Sequence, residues 1–109
     1  MVAMVITVDI DSPSKAKLLS TYRKALSYGR TKVTKTAHGG FHLRIDSDIE
    51  DPLEIIRIRR LLGDDPKRIE HDKILILLGH PELANRLFEA KKVNGKYVKE
   101  RPFEMEGDK

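Results

Sequence analysis

The stretch VITVDIDS, residues 5–12, predicts a strand that ends in two carboxylates. Side chains of a strand alternate between its two faces, so Ile10 points to one face while Asp9 and Asp11 point to the other, together with Thr7. Two like charges on one face repel each other unless water, a cation or a basic group lies beside them. The strand therefore predicts that water, a cation or a basic group lies beside Asp9 and Asp11.

A second stretch, TKVTKTAHGGFHLRID at residues 31–46, predicts a β-hairpin. Its first half alternates and is rich in β-branched residues, and Gly39-Gly40 supplies the turn. We expect the apolar residues after the turn to face the core, namely Phe41, Leu43 and Ile45. His42 and Arg44 then lie on the opposite face of the sheet.

Three helix starts share one pattern, a capping residue followed by proline: Ser12-Pro13, Asp51-Pro52 and Asp65-Pro66. The apolar residues after the first two starts recur at helical spacing. The run ILILL, residues 74–78, fits either the end of the third helix or a strand. Asn94-Gly95, in the middle of residues 85–105, is the commonest dipeptide of tight hairpin turns and predicts a second hairpin.

The predicted order is β-α-β-β-α-(α)-β-β. Helices on one face of a mostly antiparallel sheet give an α+β, ferredoxin- or RRM-like two-layer sandwich with a C-terminal hairpin. In this topology the first and third strands are central neighbours. We expect residues 1–103 to form one domain and residues 104–109 a flexible tail.

Composition excludes several classes of protein. The 109 residues contain no cysteine, which excludes disulfides, thiolate zinc sites and cysteine nucleophiles. Charged residues make up 35% and glutamine is absent, a composition typical of a thermophile. The longest apolar run is too short for a membrane span, and no leader is evident, so we expect a cytoplasmic protein. The net charge of +4 is compatible with a polyanionic partner and equally with none.

Polar residues of the two predicted strands converge on the open face of the sheet. Asp9 and Asp11 would lie beside His42 and Arg44. Paired carboxylates bind hard divalent cations such as Mg²⁺ or Mn²⁺, and a neighbouring histidine and arginine bind phosphate oxygens. With two metals, such a site catalyses phosphoryl or nucleotidyl transfer.

The residues VDID, followed about thirty residues later by HGGFHLRI, resemble the first two motifs of the archaeo-eukaryotic primase superfamily. The resemblance implies a primase-polymerase-like domain with an RRM-like catalytic half. It makes Asp9 and Asp11 the metal ligands and His42 the contact to the nucleotide phosphates. The third motif of the family is an apolar residue followed by an acid; Phe88-Glu89 fits it and Asp72 is a rival.

Two departures from the family pattern are visible. Gly40 stands where the family usually has a small hydroxyl residue, and the chain has no room for the lobe that helps hold template and primer. If the protein is a nucleotidyltransferase, a replication partner would supply that lobe. The segments LRIDSD, residues 43–48, and IRRLLGDDPKRIEHD, residues 58–72, are also similar to short proteins of unknown role from archaeal plasmids and viruses.

The basic residues of the second and third helices allow two interpretations. They either contact nucleic-acid phosphates or form a solvated face paired with neighbouring acids: Arg57, Arg60, Lys67 and Arg68, with Arg59 in the same run. The sequence thus leaves two functions open besides simple interaction. One is a metal- and nucleotide-binding, primase-like domain. The other is a non-catalytic nucleic-acid-binding or replication-accessory protein whose acids cap a helix. A third hypothesis is a homodimer paired through the terminal hairpin.

Overall fold

A computed structural model of the chain describes residues 4–87 and 90–105. The strands are β1 (Met4–Ile10), β2 (Arg30–Lys35), β3 (Phe41–Ser47), β4 (Ala90–Val93), β5 (Lys96–Lys99) and β6 (Arg101–Pro102). The helices are α1 (Lys15–Leu26), α2 (Pro52–Leu61) and α3 (Pro66–Leu77), and a short 3-10 turn follows at Pro81–Leu83. The protein is an α+β two-layer fold consistent with a ferredoxin-like architecture, as the sequence predicts. None of the helices in these two ranges is long and apolar enough to cross a membrane.

The main sheet is antiparallel and has four strands in the order β1-β3-β2-β6. The prediction that β1 and β3 are neighbours is confirmed, but β1 is not central. Strand β1 lies at the edge of the sheet, and β3 and β2 form the centre of the sheet. The predicted C-terminal hairpin forms as β4–β5, a separate two-stranded sheet. The short strand β6, which follows the hairpin, joins the main sheet by pairing with Thr34 and Lys35 of β2.

The core lies between the helices and one face of the main sheet. The alternation of β1 and β3 puts six apolar side chains on this face, none more than 1% exposed: Ile6, Val8, Ile10, Phe41, Leu43 and Ile45. They pack with Leu18 and Ala25 of α1 and with Ile55 and Ile58 of α2. Burial of such side chains is the main stabilising contribution to folding. The prediction that the apolar residues after the glycine turn face inward is confirmed.

Two of the three predicted helix caps are confirmed. Asp51 accepts a hydrogen bond from the Leu53 N–H and Asp65 accepts one from the Lys67 N–H. The prediction for the first helix is wrong by two residues, because its cap is Ser14, which accepts from the Lys17 N–H. Ser12 instead accepts from the Ser14 N–H and shapes the turn that leads into the helix. The ambiguous run at residues 74–78 continues α3 to its C-terminal end.

Two turns require their small residues. A Cβ atom at Gly40 would lie 2.5 Å from the carbonyl oxygen of Ile10, so the turn before β3 passes too close to β1 for any side chain. A serine or threonine side chain at this position would meet the same oxygen. In the β4–β5 turn, Asn94 and Gly95 have φ values of 51° and 80°. These left-handed values are typical of the two-residue hairpin turn that the sequence predicts.

Candidate functional site

Asp9 and His42 lie directly opposite each other on β1 and β3. The Nε2 atom of His42 faces the Oδ1 atom of Asp9 at 3.6 Å. The His42 side chain is only 4% exposed, whereas the Asp9 side chain is 23% exposed. The structure therefore brings this acid and this histidine together on the polar face of the sheet, with the imidazole nearly closed off from solvent.

Glu100, which directly precedes β6, bridges His42 and Arg44. One of its carboxylate oxygens lies 2.6 Å from His42 Nδ1, and the other accepts a hydrogen bond of 2.5 Å from Arg44 Nη1. A single carboxylate thus engages both side chains expected to contact phosphate. Glu100 was not predicted from the sequence. The strand β6 that aligns it with β2 is only two residues long, which is too short to show an alternation of apolar and polar residues.

The charge state of Glu100 follows from these contacts. Burial alone would raise the pKa of its carboxyl, because the charged form loses hydration. Hydrogen bonds from Arg44, Thr34 and His42 outweigh burial and lower the pKa of Glu100 below its ordinary value. The carboxylate is therefore ionised at neutral pH and balances the Arg44 guanidinium.

Asp11 is exposed and lies just beyond the end of β1. Asp9, Asp11 and Asp65 line one shallow cleft of about 280 Å³, together with Lys17 and Lys67. This cleft contains both acids of the first predicted motif but not the predicted histidine. Across residues 4–87 and 90–105, no group of three or more histidine and acidic side chains is arranged to hold a metal ion. Two carboxylates fit Mg²⁺, which commonly keeps several waters.

The two candidates for a third acidic ligand have different fates. Phe88 and Glu89 lie outside the described residues. Asp72 is buried inside the protein, where it accepts hydrogen bonds from Arg59 Nη1 and from the Asn85 N–H, at 2.8 and 2.9 Å. Burial alone would raise the pKa of Asp72, but these hydrogen bonds outweigh it and lower the pKa below its ordinary value. The Asp72 carboxylate therefore forms an ion pair with Arg59 inside the protein.

That ion pair belongs to a network centred on Asp64. Arg59 is fully buried and donates to Asp64 at 2.7 Å, on the side opposite Asp72. Arg68 donates to both oxygens of Asp64, at 2.8 and 2.9 Å. Two arginines and two aspartates thus balance their charges between α2 and α3, which is the condition under which buried ions are tolerated.

The same network covers the outer edge of β1. The Thr7 N–H donates to Asn85 Oδ1 at 2.9 Å, and the Asn85 side-chain amide donates to the Val5 carbonyl. The Asp9 N–H donates to Asp64 Oδ1 at 2.8 Å. These side chains hydrogen-bond to β1 as a further strand would, so the Thr7 and Asp9 N–H groups and the Val5 carbonyl are paired although β1 is an edge strand.

The four residues predicted to contact nucleic acid are spread over different environments. Arg57 and Arg60 are exposed, and each pairs with a nearby acid, Glu54 and Glu70 respectively. Lys67 is exposed beside the cleft. Arg68 is mostly buried in the Asp64 network. Their role towards nucleic acid stays a prediction.

The β4–β5 hairpin is rich in lysine. Residues 90–99 contain four lysines and no acidic residue. Lys96 and Lys99 are exposed, and Tyr97 between them is 78% exposed. Tyr97 was not among the predicted site residues, although an aromatic residue within a lysine-rich hairpin is a pattern that can be recognised in the sequence.

Comparisons of the chain with protein-family models, with curated proteins and with solved structures give no match in any of the three.

Proposed function

We propose that this protein is a non-catalytic nucleic-acid-binding domain that contacts phosphates through its β4–β5 hairpin. The observation that carries the proposal is the charge of residues 90–99, four lysines with no acidic residue, on a two-stranded sheet separate from the main sheet. Such a cluster of basic residues on one element suits the phosphates of a polyanion.

The contacts of the hairpin support this proposal. Lys96 and Lys99 are exposed, and neither forms an ion pair with another of the residues 4–87 and 90–105 that the structure describes. By contrast, the arginines of α2 pair with glutamates on the same surface. A lysine without an acidic neighbour gains more from a phosphate, because no existing ion pair has to be broken.

The state of the polar face also favours binding over chemistry. His42 and Arg44 are both engaged by Glu100, and the His42 ring is nearly enclosed. A nucleotide phosphate would have to displace that carboxylate to reach either side chain. Displacing a partner from a mostly buried charge pair is costly.

The experiment is a titration of fluorescently labelled oligonucleotides by anisotropy at several salt concentrations. We expect the logarithm of the affinity to fall linearly with the logarithm of the salt concentration. The double variant Lys96→Ala/Lys99→Ala should reduce that slope by roughly 1.4 on a single strand, about 0.7 for each lost phosphate contact. Lys24→Ala, at an exposed lysine of α1, is the matched control and should leave the slope unchanged.

Affinity that ignores salt, or an equal effect of the hairpin and control variants, would contradict the proposal. A loss of affinity confined to Arg57→Ala and Arg60→Ala would move the contact to α2 and likewise contradict the role of the hairpin.

A second candidate function is supported by the cleft at the end of β1. Asp9 and Asp11 open onto it together, and Lys17 and Lys67 lie beside them. Two carboxylates would hold Mg²⁺ or Mn²⁺, and the lysines would bind the phosphates of a nucleotide. This is the metal- and nucleotide-binding function that the primase resemblance implies, with the lysines in place of the enclosed His42.

Calorimetric titration with Mn²⁺ and a nucleoside triphosphate tests this candidate. Asp11→Asn should abolish the heat of binding, because it removes one ligand at an exposed position that does not support the fold. Asp48→Asn, at an exposed acid elsewhere on the surface, is the control. Absence of heat with the unaltered protein, or equal heat with both variants, would exclude a metal site in the cleft.

A further inference from the structure

We infer that the partner of the hairpin is a single-stranded nucleic acid and that the Tyr97 ring stacks on one of its unpaired bases. This inference rests on the proposed function, since it assumes that the hairpin meets a phosphate backbone. It adds what that function leaves open, namely the strandedness of the partner and a contact to a base.

The first observation is the exposure of Tyr97. At 78% it is the most exposed of the large apolar side chains in the described residues. Burying such a ring against another surface gives a larger gain than burying most other side chains, and tyrosine loses little conformational freedom when it does so. An exposed ring of this kind is accessible for stacking against a partner.

The second observation is the arrangement of charge around the ring. Strand alternation puts Tyr97 and Lys99 on the same face of β5, about 7 Å apart along the strand. Lys96, which precedes Tyr97 and pairs with Val93 beside the turn, lies on the opposite face by the same alternation. A ring with an ammonium group on its own face is suited to a base whose neighbouring phosphate lies within reach of that lysine.

The other face of the hairpin differs. Val93 and Val98 are both half-buried on this face, which also carries the exposed Lys96 beside the turn. Tyr97 and Lys99 lie on the more exposed face. Charge complementarity limits the occupant to a polyanion, because no acidic residue interrupts residues 90–99.

The ring distinguishes a single strand from a duplex. In a duplex, each base is covered on both faces by its neighbours, and the bases must be unstacked before a side chain can stack on them. In a single strand the faces are accessible, and stacking on an aromatic side chain tolerates any base. Lysine contacts alone would not make this distinction, since both forms present phosphates.

The test compares an oligothymidylate of about 15 nucleotides with a duplex of the same length, a size in the range that single-strand-binding domains cover. We expect the protein to bind the single strand more tightly than the duplex. Tyr97→Ala should weaken single-strand binding roughly 5- to 150-fold, the loss of one stacked base. The salt dependence should stay unchanged, because no phosphate contact is removed. Tyr97→Phe keeps the ring and should bind like the unaltered protein.

The outcomes separate this inference from the proposed function. If neither oligonucleotide binds, both fail. If both bind equally in a salt-dependent way and Tyr97→Ala binds as tightly as Tyr97→Phe, the proposed function stands and the stacking inference is overturned. If Tyr97→Ala and Tyr97→Phe weaken binding equally, the phenolic hydroxyl makes the contact and the stacking inference is again overturned. Circular dichroism of each variant establishes that the fold is retained.

Discussion

The carboxylate of Asp64 accepts a hydrogen bond from the backbone N–H of Asp9, across 55 residues of chain. The same carboxylate is fixed by Arg59 and Arg68. The end of β1 that carries the acidic pair is therefore positioned by the loop between α2 and α3. Stability of the buried ion network and geometry of the candidate cleft are thus linked.

Loss of Arg59 should destabilise the protein strongly. Arg59→Met removes the buried cation and leaves Asp64 and Asp72 without their common partner, which we expect to lower the free energy of unfolding by about 3–5 kcal/mol. Urea denaturation measures the change. Arg57→Met is the matched control, because Arg57 is exposed and its ion pair with Glu54 should contribute little to stability. Equal denaturation midpoints for the two variants would contradict the importance of the network.

Loss of the Asn85 side chain should open the edge of β1. Asn85→Gly suits the φ of 64° at this position but deprives Thr7 N–H and Val5 C=O of their partners. We expect a loss of about 1–3 kcal/mol and faster hydrogen exchange at the Thr7 amide. Asn94→Gly, at a similar φ in the hairpin turn, is the control and should leave that amide protected. Unchanged exchange at Thr7 in Asn85→Gly would show that the amide is protected by something else.

Acidification should weaken the fold through Glu100 and Asp72. The pKa values of both carboxyls lie below their ordinary values of 4.5 and 3.8, so their ionised forms stabilise the folded state. This stability is complete above the unfolded-state pKa values and is lost as pH falls through the folded-state values. The free energy of unfolding should therefore be flat down to about pH 5.5 and should fall below it.

Substitution of Glu100 isolates its share of the acid sensitivity. Glu100→Gln removes the charge and should make the decline below about pH 5.5 shallower, at the cost of lower stability at neutral pH. Glu104→Gln, at an exposed glutamate nearby in the chain, should follow the profile of the unaltered protein. Parallel profiles for all three proteins would rule out Glu100 as a contributor.

A side chain at Gly40 should disturb the end of β1. Gly40→Ala places a Cβ atom against the Ile10 carbonyl, and we expect a loss of about 1–3 kcal/mol with altered backbone chemical shifts at Ile10 and Asp11. Gly39→Ala is a useful contrast. Its Cβ would meet no atom within 4 Å, so its cost comes from the φ of 85° and the shifts at Ile10 should stay unchanged. Unaltered shifts in Gly40→Ala would contradict the close approach.

The parts of the fold that depend on local pattern could be predicted from the sequence. Alternation in β1 and β3 was sufficient to place Asp9 and His42 on one face. The edge position of β1 was not predictable in this way, because Asn85 takes the place of a strand by means of one side chain. The role of Glu100 was not predictable either, because its contacts depend on the path of the chain after the hairpin.

The burial of Arg59 could have been predicted from its position in the sequence. It lies within a run of basic residues, which suggested a solvated helical face. However, it follows Ile55 by four residues and precedes Leu62 by three, so helical geometry puts it on the buried face of α2. The positive charge of Arg59 suggested exposure, whereas its helical spacing indicated burial. Arg59 is buried because Asp64 and Asp72 balance its charge.

The bond between Thr7 and Asn85 spans 78 residues, and this separation has a consequence for synthesis on the ribosome. At roughly 5–20 residues per second, about 4–16 seconds pass between the emergence of these two residues. Throughout that interval the nascent chain presents the unpaired backbone of its first strand to other polypeptides. Slow codons upstream of position 85 would lengthen this interval.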